Sequence, residues 1–328
     1  MMMKNMRGLC SSNSSRGERG FTLVELLVAL TLGILIAGAA VAALLAARSG
    51  FTSVDSSSQL RENARFASRL MERIVNESGF INLSYFDYPT STQPPPLRGF
   101  DSASVTITGG VPVIGAVGTG VNNGDVLVVS FSGASNSTGA ADGSMINCAG
   151  NAVPQTTAGS STSMFHLVTS ASGEPTLACT SQNPATGVWV TAPLVGGVES
   201  MQILYGTDGV VPGAVPPSLV DPLTSGADSV PERYMRAAQL DVAGNLPATL
   251  DNWRRVQSIR VGMVIRGPLN SAPDRTLTAQ IFNVLGAGLS ASVDAGSIST
   301  VPADGRLRQQ VIFTIHLRNT QDPVSLLR

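Results

Sequence analysis

The chain has 328 residues, with 21 Lys and Arg against 22 Asp and Glu, 13% charged residues and a mean hydropathy of +0.20. Charge stands at about half the share usual in soluble domains, the near-zero balance leaves no clustered positive face for nucleic acid, and the hydropathy points to a segment that sits in lipid. Lys4 is the only lysine, which excludes Schiff-base, pyridoxal and phosphate-loop lysine chemistry beyond that position, and two histidines with three cysteines nearly exclude a His/Cys metal cage.

Residues 1–20 carry Lys4, Arg7, Arg16 and Arg19 against Glu18 in a setting of Ser, Gly and Asn. From Phe21 to Ala47 the only ionisable side chain is Glu25. That run exceeds the roughly 20 residues a helix needs to cross a bilayer. It is also longer than the 7–15-residue apolar core of an ordinary secretory signal. The basic side lies N-terminal, so residues 1–20 are expected in the cytoplasm and everything after Arg48 outside it. A lone carboxylate five residues into an apolar segment is expensive in hydrocarbon, which marks Glu25 as a functional residue.

After Gly50 the pattern turns amphipathic: Phe51, Val54, Leu60, Ala64, Ala67, Leu70, Met71, Ile74 and Val75 recur at steps of three and four. Arg61, Arg65, Arg69 and Arg73 fall on the other face and read as solvated, with Glu62–Arg65 and Arg69–Glu72 at pairing distance along a helix. Ser78-Gly79 supplies the stop. A helix from Phe21 to Ser78 would be about 87 Å long.

Residues 80–328 read as strands and loops. Residues 259–266 and 311–318 alternate with apolar odd positions, residues 124–131 are apolar on both faces, and residues 198–205 form a fourth run. These four are expected in one antiparallel sheet with the helix stripe packed on its apolar side, an α+β fold. The Gly/Ser/Thr-rich spans 90–123, 132–163 and 206–230 read as loops. His166 and His316 read as strand residues, His316 on the polar face, and nothing resembles a nucleophile elbow. Gly118-Thr119-Gly120 leads into a strand and reads as a turn instead of a dinucleotide loop.

The stretch Gly20-Phe21-Thr22-Leu23-Val24-Glu25-Leu26-Leu27-Val28 resembles the class III signal of type IV pilins and pseudopilins, closely over residues 16–36. Gln59-Leu60-Arg61-Glu62-Asn63-Ala64-Arg65-Phe66-Ala67, ending in Gly79-Phe80, looks like the PilW family of minor pilins, itself similar to J-type pseudopilins of type II secretion. The blocks 194–206, 254–266 and 308–319 are similar to strands of the same family. The resemblance implies a leader at 1–20 removed by prepilin peptidase, cleavage between Gly20 and Phe21, and N-methylation of Phe21. It implies a transmembrane or filament-core helix over 21–50, its amphipathic continuation over 51–79 and a β-rich periplasmic or extracellular domain over 80–328. Major pilins often carry a proline midway along the apolar helix, and Ala42 lies in that region here.

Glu25 is then expected to pair with the freed Phe21 amine of a neighbouring subunit and so set the axial register of a filament. Cys10 would leave with the leader, so Cys148 and Cys179 remain as an even pair in an oxidising compartment. A disulfide between them would stabilise the fold by roughly 3–4 kcal/mol. Family members can carry a calcium-suggesting acidic stretch after the strand at 198–205. Asp208, Asp221 and Asp228 are spaced too irregularly for an oxygen-ligand loop, and a solvated acidic loop is expected, with no metal and no cofactor.

The implied function is a minor pilin needed for priming or assembly of a type IV pilus, with fimbrial adhesion and twitching motility as the associated processes. The alternatives are a J-type pseudopilin of type II secretion and a pilus-tip adhesin module. The chain itself is expected to be no enzyme. Its partners would be other minor and major pilins, prepilin peptidase, the inner-membrane assembly platform and membrane lipid, with no nucleic acid. It would sit in the bacterial inner membrane as a single-pass protein and then in the pilus. Losing four basic residues and one acidic residue with the leader leaves 17 against 21, a mildly acidic, lysine-free chain.

Overall fold

A computed structural model describes residues 20–80, 95–155, 161–216, 230–272 and 279–319. Two compact units emerge, residues 1–51 and 52–328. In chain order the elements are α1 (Leu23–Glu77), β1 (Leu97–Phe100), β2 (Val105–Thr108), β3 (Val111–Ile114), β4 (Val126–Phe131), β5 (Ser161–Thr169), β6 (Pro175–Gln182), β7 (Trp189–Gly196) and β8 (Val198–Thr207). There follow β9 (Arg233–Met235), α2 (Ala237–Leu240), α3 (Leu246–Arg254), β10 (Val256–Arg266), β11 (Gln280–Asn283), β12 (Ile298–Val301) and β13 (Arg308–His316).

In the first unit the apolar run forms the first half of α1, and its large side chains are all exposed, from Leu23 at 75% to Leu45 at 61%. In the second unit α1 buries one stripe: Leu60, Ala64, Ala67, Met71, Ile74 and Val75. Steps of four, three, four, three and one keep these on one side of a 3.6-residue helix. The stripe is shorter than the periodicity predicts. Val54 is 71% exposed and Phe51, in the first unit, 76%, and the buried face opens only at Ser56. The ion pair along α1 runs from the exposed Arg73 Nε to Oε1 of the largely buried Glu77 at 3.6 Å; the 62/65 and 69/72 spacings form none.

Helix α1 ends where sequence chemistry stops it. Gly79 takes φ +73, a conformation that costs glycine little. The orphan carbonyls at the helix end are met from the far end of the chain, as Asn319 Nδ2 donates to the carbonyls of Asn76 (3.1 Å) and Ser78 (3.2 Å).

Two antiparallel sheets follow. The first has order β1-β4-β5-β6-β7 and the second β13-β10-β8-β9. Three of the four strand runs share a sheet as expected: Val261 of β10 faces Ile203 of β8 on one side and Phe313 of β13 on the other. The fourth, β4, lies in the other sheet, between β1 and β5. A strand apolar on both faces suits the interior of either sheet, so its pattern carries no address. The span 90–123 is also not all loop. It holds β1 and the hairpin β2–β3, joined by Gly109 and Gly110 with φ +61 and +83, the mirror-image turn that matches hairpin twist.

One apolar core joins the α1 stripe to the inner faces of both sheets, including Leu127, Phe131, Phe165 and Leu177 from the first and Met201, Ile203, Ile259 and Met263 from the second. Tyr205 meets Trp253 of α3 edge to face at 4.8 Å. The chain crosses between sheets at Gly197, with φ +80, where a Cβ would lie 2.5 Å from the Arg266 carbonyl oxygen. The expected polar outer face of β10 is instead covered: Val264 is fully buried, and Gly262 lies beneath residue 284, whose carbonyl oxygen would be 2.0 Å from a Cβ at Gly262.

Candidate assembly site

Gly20, Phe21 and Thr22 precede the first turn of α1, and Phe21 is 86% exposed. Thr22 and Glu25 close on each other. The Thr22 backbone N–H and hydroxyl both donate to Glu25 Oε2 at 3.2 Å, and the Glu25 N–H donates to Thr22 Oγ1 at 3.2 Å. This is a reciprocal capping box, which satisfies orphan donors at a helix start. Its signature, Thr-x-x-Glu ahead of an apolar run, is legible in the sequence, and the reading of Glu25 as a bare buried charge overlooked it. The helix it opens is long and apolar enough to cross a membrane.

The remaining candidate residues scatter over the second unit. Cys148 and Cys179 are joined, with Cα atoms 5.8 Å apart, tying the segment after β4 to β6. His316 is exposed on β13, and Arg61, Arg65, Arg69 and Arg73 are exposed on α1. Asp208 departs from the solvated-loop expectation: it is 2% exposed, and its backbone N–H donates to the Arg255 carbonyl at 3.1 Å. Asp221, Asp228 and residues 1–19 lie outside the described residues. Among the described residues no group of three or more His, Cys, Asp or Glu is placed to hold a metal.

His166 is fully buried on β5, its Nε2 2.8 Å from Thr180 Oγ1, which in turn lies 2.7 Å from Thr191 Oγ1. Burial pushes its pKa down to about 4. The folded state therefore keeps this ring neutral while the unfolded chain protonates it near 6.5. Its contribution is complete above about 6.5 and is lost as pH falls towards 4, about 3 kcal/mol in all. Glu77 acts with the opposite sign. Burial raises it to about 7 against the Ile146 amide and Arg73, so its contribution declines as pH rises from 4.5 through 7. Comparison with a variant separates the two. The stability difference between the native chain and His166→Gln, followed by urea unfolding, is expected to move by about 3 kcal/mol in favour of the variant between pH 7.5 and 4. A constant difference would exclude a neutral buried ring.

A cluster of six charges went unseen in the sequence. Glu174 ahead of β6 holds Arg266 (2.7 Å) and Arg306 (2.9 Å), Glu199 of β8 holds Arg266 (2.9 Å) and Arg308 (2.6 Å), and Arg308 also meets Asp304 (2.7 Å). The Arg308 guanidinium holds the Asp304 carboxyl below its ordinary range. The cluster balances three cations with three anions and ties the residue ahead of β6 in the first sheet to the second sheet. That composition suits a clamp better than a binding site.

Comparison with known proteins places these features. The family described as Type IV Pilus-assembly protein W matches residues 164–319, from β5 to the residue that caps α1. The prokaryotic N-terminal methylation motif matches residues 15–41, the span that contains the capping box and the exposed apolar helix. No curated protein matches the chain. Among solved structures it is similar to a type IV-like pilin, TTHA1219, from Thermus thermophilus, at 12% identity over 80% of this chain and 97% of that one, with a TM-score of 0.40. The two family matches point to a structural subunit anchored in a membrane by its apolar helix and incorporated with other pilins into a pilus. Lying at opposite ends of the chain, they make this protein similar to type IV minor pilins of the PilW kind, the longer match spanning just under half of the chain.

Proposed function

We propose that the chain is made as a prepilin whose residues 1–20 are removed by prepilin peptidase, and that Phe21 then carries a methylated amino group. Before assembly it sits in the bacterial inner membrane with its amino end on the cytoplasmic side and the globular unit outside. The assembly platform then moves it into a pilus beside other minor and major pilins, where it primes or supports assembly. No catalytic step falls to the chain itself. The observation that carries this reading is one carboxylate, Glu25, in the first turn of a wholly exposed apolar helix directly after Gly20-Phe21. Mass spectrometry of the protein from cells with and without prepilin peptidase tests it. The expected mature chain begins at Phe21 with one added methyl group, and the full chain accumulates when the peptidase is missing. Retention of residues 1–20 in peptidase-positive cells would overturn the reading.

A further inference from the structure

Residues 284–297 form an arch between β11 and β12 over the outer face of β10. Its neck is closed by the Val284 N–H donating to the Ser297 carbonyl at 2.8 Å, and Val284 and Leu285 are fully buried. Arg260 of β10 reaches up to the Leu285 carbonyl at 3.2 Å. The far foot of the arch rests elsewhere. A Cβ on Gly296, which takes φ +93, would lie 2.5 Å from Gln202 Nε2 and 2.8 Å from the Asn123 carbonyl oxygen. Arg236 holds this foot from the side, its guanidinium donating to the Val293 carbonyl at 3.0 Å.

Three carboxylates act on one another at the foot: Asp294 on the arch, Asp101 after β1 and Asp125 ahead of β4. Two of them have donors. Asp101 accepts the amides of Ala237 (2.9 Å) and Ala238 (3.0 Å), and Asp125 accepts those of Ser102 and Ile203, both at 2.8 Å. Asp294 is 8% exposed, and among the described residues no hydrogen bond reaches its carboxylate. A nearly buried acid without a donor, beside other acids, is favoured in its neutral form.

We propose that the arch is an acid-tightened latch: protonation of Asp294 seats residues 284–297 on the second sheet, and its ionisation loosens them while the rest of the domain stays folded. Burial, then the charge of Asp101, raises the Asp294 carboxyl to about 6, with Arg236 offsetting part of the effect. Asp125 faces the same foot and is raised as well, chiefly by burial. A raised acid stabilises the seated form at low pH, and that contribution is lost as pH rises from about 4 through 6. The latch lies wholly within the globular unit and does not depend on how the chain assembles.

Hydrogen exchange of the full-length protein in detergent micelles, corrected for intrinsic exchange, tests the latch at pH 5 and 7.5. Peptides covering 284–297 are expected to lose about tenfold in protection at the higher pH, relative to peptides from β10. Asp294→Asn should hold the protection of pH 5 at both values. Gly296→Ala, which lifts the foot without changing charge, should lower protection at both. Equal protection of the arch in the native chain at both pH values would overturn the proposal. So would a change shared equally by β10, or a pH dependence that survives in Asp294→Asn.

Discussion

Replacing Glu25 with alanine is expected to leave the chain in the membrane and to remove it from the pilus, with incorporation lowered by about two orders of magnitude. The helix from Leu23 keeps its apolar surface, so insertion does not depend on the carboxylate. Side-by-side packing of such helices takes the first turn out of water, and a charge stranded there costs about 3–5 kcal/mol if its partner is missing. The proposed partner is the Phe21 amine of a neighbour. Glu25 uses only Oε2 in its capping box, so Oε1 remains available for that amine. Glu25→Gln separates the two roles. Glutamine preserves a capping box but carries no charge. A charge-pairing role therefore predicts that both variants fail, whereas a purely local capping role predicts that glutamine restores incorporation. Immunoblots of sheared pili against membrane fractions read the outcome, and normal incorporation of the glutamine variant would sink the pairing idea.

Replacing Glu199 with alanine is expected to destabilise the globular unit by about 3 kcal/mol, with a fall in Tm of about 5–10 °C. Glu199 is 6% exposed, and its two oxygens hold Arg266 at 2.9 Å and Arg308 at 2.6 and 3.0 Å. Removing it leaves two guanidinium groups in a nearly dry site. Arg308, whose side chain is only 2% exposed, keeps Asp304, and Arg266 keeps Glu174, which places the cost at the lower end for a broken buried pair. Glu174→Ala should cost far less, about 1 kcal/mol or below, because that side chain is 34% exposed and water screens the loss. Thermal unfolding of the three proteins decides. Equal effects of the two substitutions would mean that burial does not govern the cluster.

Features carried by neighbouring residues were legible without the fold. The apolar run with its single carboxylate, the 3.6-residue stripe from Leu60 to Val75 and the stop at Gly79 all arise from interactions within a few turns of chain. Alternation likewise marked β10 and β13, because a side chain's face depends only on its position along its own strand. The capping box belongs to the same class, being a three-residue spacing.

Partners distant in sequence follow a different logic. Nothing local tells β4 that it joins β1 and β5 instead of β8, since both sheets offer it the same apolar interior. Asn319 caps a helix that ends more than two hundred residues earlier, at a site where any suitable donor would serve. The six-charge clamp draws on residues 174, 199, 266 and 304–308, and the acids at the arch foot come from positions 101, 125 and 294. The amino-acid sequence by itself thus determined the assembly helix, the amphipathic stripe and the strand faces, because periodicity and capping act through adjacent turns. Tertiary structure alone decided which strands pair, which charges are buried together and what covers β10, because those choices depend on which distant surfaces exclude water from each other.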